Sequence, residues 1–235
     1  MPTSNRPTRS RPIPRPRTRT SEAVIPSHRH ASLAYAEGYV AEDDVLTSAR
    51  REARRLGIVP VEPGTGAALR LLAATLGARS VVDVGTGAGV SGIYLLRGMH
   101  PAGVLTTVDE DTQGSQAARR AFADAGFAAS RTRVIGGAAG SVLPRLADGG
   151  YDMVFCGGPG TDHLAGYEEA LRLLRPGGLV AFDGALGQDR VVDPSIRDAR
   201  TSALRYLHRQ VAEDPRLLPA LLPTGDGLLC AVKRP

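Results

Sequence analysis

The chain is 235 residues long, 42% hydrophobic and 23% charged, with a formal net charge of +5. That length suffices for one well-cored domain with or without a tail, and two cysteines, Cys156 and Cys230, cannot build a disulfide framework or a zinc ribbon. No apolar run approaches the roughly eighteen residues of a membrane helix, so a helical membrane protein is excluded, and the scarcity of cysteine fits a reducing, cytoplasmic setting.

Residues 1–30 read as a disordered Arg/Pro-rich tail. They hold seven arginines against one acid, Glu22, a balance of +6 that leaves the remaining chain at −1. Six prolines oppose a helix there and little apolar surface is available to bury. The segment lacks the apolar stretch of a secretory signal. An electrostatic arm for nucleic acid or an anionic surface is the alternative reading of the tail. The near-neutral body argues against nucleic acid as its partner. Basic residues are 28 arginines and only Lys233, a bias that points to a GC-rich, bacterial genome.

Residues 31–235 read as one domain. Helices are expected over 42–57, with an acidic start and a basic end, and over 64–77. From Arg79 onward short β-rich runs alternate with helical patterns. The strands fall at 80–84, 104–109, 132–136, 151–156 and 178–183, and the helices near 89–99, 112–125, 139–147 and 163–174. Such alternation demands a parallel sheet covered on both faces. A last helix follows Pro194, with Ser195 and Asp198 as a capping pair and Ile196, Ala199, Ala203, Leu207 and Val211 along its apolar face. The apolar runs 217–223 and 227–233, joined through Thr224-Gly225-Asp226, predict a terminal antiparallel hairpin.

The most informative stretch is Val81–Gly92, VVDVGTGAGVSG. A strand runs into Gly85-Thr86-Gly87-Ala88-Gly89 and then into a helix, whose free N–H groups suit an anionic group. The spacing is GxGxG, and Val90 occupies the place where a dinucleotide fingerprint needs glycine. Asp83, near the strand's end, would repel a pyrophosphate and suits an ammonium or sulfonium. Asp109 ends the second strand, where a carboxylate accepts both ribose hydroxyls. The site therefore asks for a cationic nucleoside, and S-adenosyl-L-methionine fits that description.

In VDVGTGAGVSG, TVDED (107–111), YDMVF (151–155), LLRPGGLVAFD (173–183) and LLPTGDGLLCAVK (221–233), the chain from about Ala31 to Lys233 resembles class I methyltransferases that use S-adenosyl-L-methionine. Within them it is similar to the bacterial branch of the caffeoyl-CoA O-methyltransferase-like family. The resemblance implies a Rossmann-like, mostly parallel seven-stranded sheet of order 3-2-1-4-5-7-6, with helices on both faces and an antiparallel end. It implies that Val61 lies against the cofactor and that Asp83, Gly85 and Thr86 contact its methionine part. It places Ser91 on the carboxylate, Asp109 on the ribose, Glu110 beside the adenine and Ala139 at the adenine edge. It also suggests a homodimer.

One part of the pattern fails. The family holds a divalent ion through aspartates in a run like F-I-D-A-D-K after the fourth strand and D-N after the fifth. Here those aspartates fall on Gly157 and Pro159, and the second pair is Asp183-Gly184. One carboxylate does not satisfy Mg²⁺ or Ca²⁺, so the sequence predicts a metal that is absent or very weakly held, with Asp183 as its residual ligand. An acceptor hydroxyl must still lose its proton. Asp183 is the first candidate base, ahead of Asp162 and His163. The expected activity is O-methylation of a small hydroxylated acceptor, phenols included. The alternatives are an inactive cofactor-binding protein, or an RNA or protein methyltransferase guided by the tail.

Overall fold

The structure is a computed structural model that describes residues 26–157 and 160–235, with the side chains among them except those of 26–29 and 160–165. The expected tail, 1–25, lies outside the described residues. A helix, α1 (Pro26–Glu37), begins inside the span assigned to the tail, so the ordered body starts earlier than residue 31. A proline at the first helical position is compatible with this, because its missing N–H would have no partner there.

Two more helices, α2 (Asp44–Arg55) and α3 (Pro63–Thr75), precede the sheet. Asp43 caps α2 by accepting the Leu46 N–H at 3.1 Å. The alternating part then runs β1 (Ser80–Val84), α4 (Val90–Gly98), β2 (Val104–Asp109), α5 (Thr112–Asp124), β3 (Thr132–Gly136), α6 (Ala139–Val142), β4 (Tyr151–Cys156), α7 (Gly160–Leu173), β5 (Leu174–Phe182), α8 (Ala199–Glu213), β6 (Leu217–Leu222) and β7 (Leu228–Lys233).

The seven strands pair in the order β3-β2-β1-β4-β5-β7-β6. The first five are parallel, β7 is antiparallel to β5, and β6 is antiparallel to β7. Alternation along the strands splits the core into two layers. Val81, Leu105, Met153 and Phe155 face the side covered by α3, α4 and α5. Val82, Val108, Val154 and Phe182 face the side covered by α7 and α8. Pro219 is tolerated because β6 is an edge strand.

Three expectations change in detail. The fifth strand starts at Leu174, which pairs with Tyr151; the Pro176-Gly177-Gly178 stretch is absorbed as a register shift within the strand. The 139–147 helix is a single turn, Ala139–Val142, followed by a 3₁₀ turn over Leu143–Arg145, where Pro144 cannot donate to an α-helical ladder. The last helix begins at Ala199, with Asp198 as its cap accepting the Thr201 N–H at 3.0 Å. Ser195 is no partner in that cap: its N–H and hydroxyl both bind Asp193 in a local turn. The buried face is accordingly Thr201, Leu204, Leu207 and Val211; Ile196 precedes the helix and Ala199 is exposed.

The order of strand addition reverses between β1 and β4: β2 and β3 lie on one side of β1, and β4 and β5 on the other. In open α/β sheets this is where a crevice opens above the strand ends.

Candidate active site

The loop after β1 forms the floor of that crevice. Gly85, Gly87 and Gly89 have φ of 89°, 49° and 90°, the left-handed region that favours glycine. At Gly85 the requirement is also steric, since an added Cβ would overlap the Gly157 carbonyl oxygen at the end of β4. Gly89 caps α4 without a side chain, so the first N–H groups of the helix stay available at the crevice.

Asp83 lies beneath this loop and is completely buried. Its Oδ2 accepts from Ser91 Oγ at 3.1 Å and from Thr107 Oγ1 at 3.3 Å. Thr107 shares a short hydrogen bond with Thr86, whose side chain is buried as well. Asp83 Oδ1 has no hydrogen-bond partner among the described residues. Burial pushes the carboxyl up to about 7, against the pull of the Ser91 and Thr107 hydrogen bonds, and the Asp109 charge adds to the rise. The Ser91 hydroxyl donates to Asp83 and therefore does not offer its proton elsewhere in this arrangement.

Asp109, at the end of β2, holds the loop in place. Its Oδ2 accepts the Gly87 N–H at 2.8 Å and its Oδ1 the Asp111 N–H at 2.9 Å. An ionised carboxylate offers about four lone-pair positions, so two remain for donors from a ligand. Glu110 follows and is exposed. Val61 is buried in the segment between α2 and α3, and Ala139 opens α6 after β3.

Asp183 stands one residue past β5, with its N–H on the Cys156 carbonyl at 3.1 Å. Burial raises its carboxyl to about 6, and the negative charges of Asp226, Glu62 and Glu37 raise it further, against one hydrogen bond from Gly184. Glu37 has a structural task that the sequence did not reveal. From the end of α1 it accepts the Gly64 N–H and the Thr224 hydroxyl, both at 2.9 Å, and also the Gly225 N–H. It thereby ties α1 and the β6–β7 turn to the start of α3.

Among the described residues, those at the ligand positions do not fit a divalent ion. At Gly157 an added Cβ would stand 2.8 Å from the buried Phe155 ring, so a side chain is barred where the first ligand would start. Pro159 lies outside the described residues. Gly184, at φ 66°, offers no side chain, which leaves Asp183. Among the described residues no three His, Cys, Asp or Glu groups could hold a metal ion. Asp162 and His163 fall on α7, but their side chains lie outside the described residues. Cys156 is no nucleophile: it is buried, and burial together with the Asp83 charge pushes its thiol up to about 12.

Known proteins share this architecture. A family model described as O-methyltransferase matches residues 36–234. A Mycobacterium ulcerans protein named as an O-methyltransferase is 47% identical over 208 residues, 88% of this chain and 93% of its own length. A solved structure of a Corynebacterium glutamicum protein superposes with a TM-score of 0.82 at 28% identity, covering 89% of this chain and 98% of the other. The O-methyltransferase TomG of Streptomyces achromogenes, involved in tomaymycin synthesis and solved in complex with SAM, gives a TM-score of 0.78 at 27% identity over 90% of this chain and all of its own. With its strand order, its glycine loop and the carboxylates beneath it, the chain belongs to the O-methyltransferase family.

Proposed function

We propose that the protein transfers the methyl group of S-adenosyl-L-methionine to a hydroxyl of a small acceptor, and that it does so without a divalent ion. The observation that carries the cofactor reading is the pair of carboxylates, Asp83 and Asp109, at and beneath a glycine loop of GxGxG spacing. Asp109 accepts the ribose hydroxyls with its unused lone pairs, flanked by Glu110 and Ala139 at the adenine. Gly85 and Thr86 shape the floor under the methionine part, and Val61 bounds it from the other side. The helix α4 N–H groups meet its carboxylate, with Ser91 at that end. Asp83 supplies the buried negative charge that favours the cationic part of the cofactor.

Methyl transfer is an in-line displacement: the acceptor oxygen forms a bond to the methyl carbon as the carbon–sulfur bond breaks, leaving a neutral thioether. Alignment of oxygen, carbon and sulfur supplies a large share of the rate. The acceptor proton goes to Asp183. A carboxyl raised to about 6 is ionised near neutral pH yet more basic than an ordinary carboxylate, which suits a general base. His163 or Asp162 remain candidates to assist it. A homodimer belongs to the same reading. It is supported by Leu33, Tyr35 and Tyr39 on and beside α1, 40%, 73% and 74% exposed, and sedimentation would show it.

The test is calorimetry with S-adenosylhomocysteine against NADH, followed by turnover of labelled cofactor across phenolic acceptors with Mg²⁺ and with a chelator. Binding of the nucleoside thioether, and turnover indifferent to the chelator, is the expected result. Binding without turnover would favour the inactive cofactor-binding alternative. Chelator-sensitive turnover would overturn the metal-independent mechanism.

A further inference from the structure

The segment between α2 and α3, Ile58-Val59-Pro60-Val61-Glu62, cannot be held by a backbone ladder. Pro60 and Pro63 have no N–H to give, and the segment's anchors are the Ile58 N–H on Ala53 at one end and the Glu62 carbonyl taking the Gly66 N–H at the other. Its middle is fixed by a side chain. Arg50, on α2 and buried, donates from Nη1 to the Val61 carbonyl at 2.8 Å. The guanidinium is itself clamped: Nε and Nη2 meet the two Glu42 carboxylate oxygens at 2.9 and 2.6 Å. Glu42 Oε1 also accepts the Tyr94 hydroxyl at 2.9 Å. Tyr94 belongs to α4, three residues beyond Ser91, and its ring lies so close to α3 that a Cβ at Gly66 would overlap it. Glu42 and Arg50 hold each other ionised, the hydrogen bonds and charge of the pair prevailing over burial in both groups.

The network therefore joins the chain before α2, the 58–62 segment and the helix that carries Ser91. A guanidinium fork locks direction as well as position. With the Val61 carbonyl fixed on Arg50, the planar trans peptide turns the Glu62 N–H to the opposite side, and the Val61 side chain is buried in the same core cluster as Tyr94.

We propose that Arg50, clamped by Glu42 and Tyr94, is a positioning residue for the cofactor: it sets the wall that Val61 presents and locks that wall to the helix bearing Ser91. This rests on the reading above that Val61 borders the methionine part.

The experiment compares Arg50→Lys, Tyr94→Phe and, as a structural control, Arg175→Lys. Arg175 also pairs with a carboxylate, through a single Nε contact to Asp152 at 2.6 Å and more exposed than Arg50, at the opposite end of the sheet. Calorimetry with S-adenosylhomocysteine, melting of the ligand-free protein, and KM and kcat for S-adenosyl-L-methionine are measured on each. Lysine keeps the charge but cannot span Glu42 and the Val61 carbonyl together. Arg50→Lys should weaken binding about tenfold and raise the cofactor KM in parallel, with kcat within about twofold of wild type. Tyr94→Phe, which keeps the ring and loses only the hydroxyl, should weaken binding about two- to threefold. Arg175→Lys should lower the melting temperature with affinity unchanged. Should Arg50→Lys not fold, an unchanged affinity in Tyr94→Phe overturns the proposal. So does an Arg50→Lys affinity equal to wild type or reduced no more than in the control. A wild-type protein that fails to bind S-adenosylhomocysteine overturns the cofactor reading itself, and this inference with it.

Discussion

Asp83 and Asp183 are both lifted by burial, but they respond to pH in ways that separate their tasks. For Asp83 the native carboxyl titrates near 7 and the unfolded one near 3.8. Between those values the unfolded chain has released a proton that the native state still holds, so stability falls as pH rises through that window and is level above it. The melting temperature of the ligand-free protein should drop by ~4 °C or more from pH 4.5 to 7.5. In Asp83→Asn that slope should shrink to the part Asp183 contributes below about 6, and binding of S-adenosylhomocysteine should weaken, which melting curves and calorimetry at each pH would show. For Asp183 the readout is catalytic. Turnover should rise with pH through about 6 and then level, and Asp183→Asn should reduce kcat by about 10²–10⁴-fold with cofactor binding retained. At this scale the sequence revealed the acids whose place follows from a strand end and a glycine loop. It did not reveal Thr107, Arg50 or Glu37, because their partners stand 24, 11 and 187 positions away and no local pattern encodes such distances. A threonine pair inside a buried strand, Thr106-Thr107, was the one available hint, since a buried hydroxyl needs a partner.

Among the elements, those made of short buried runs were legible. β1 to β4 stand where alternation and turn residues put them, because each is flanked by glycine, proline or a capping acid. The departures share one cause: local signals were read without knowing what would pack beside them. The Pro176-Gly177-Gly178 stretch resembles a turn, yet Leu174 already pairs with Tyr151. The Ser195–Asp198 spacing resembles a capping pair, yet Asp193 takes Ser195 and Arg190 binds Asp198 at 2.7 Å. The α8 face is consequently centred on Leu204 and Leu207, both fully enclosed. Leu207→Ala should cost about 2–5 kcal/mol in denaturant unfolding, whereas Ala203→Ser, half-buried, should cost under about 1 kcal/mol. Glu37→Ala removes three acceptor contacts between α1, α3 and the β6–β7 turn. A fall of about 4–8 °C in melting temperature is expected, and a melting temperature equal to wild type would show that the tie is not needed for stability.

For the molecule as a whole, strand order and the terminal hairpin were readable from the resemblance and agree with the sheet observed. The starting point of the body was not, because the prolines of the first thirty residues were weighed as a group, while Pro26 alone opens a helix. No helix among the described residues is long and apolar enough to cross a membrane. The charge imbalance confined to the first thirty residues allows a direct test of the nucleic-acid alternative. Removing residues 1–25 should leave cofactor affinity and small-acceptor turnover within about twofold, and any RNA retention at low salt should disappear with them.

Strand β7 follows β6 in the chain yet is inserted between β5 and β6 rather than added at the rim. Until its residues exist, β5 has an open flank and β6 has no neighbour to lie against. A polypeptide still being synthesised can gather its first five strands, but the sheet cannot close until β7 has been made. Ribosomes stalled before the codons of β7 would therefore hold a product with an unpaired, aggregation-prone border, and a stop codon there would be as damaging as one far upstream.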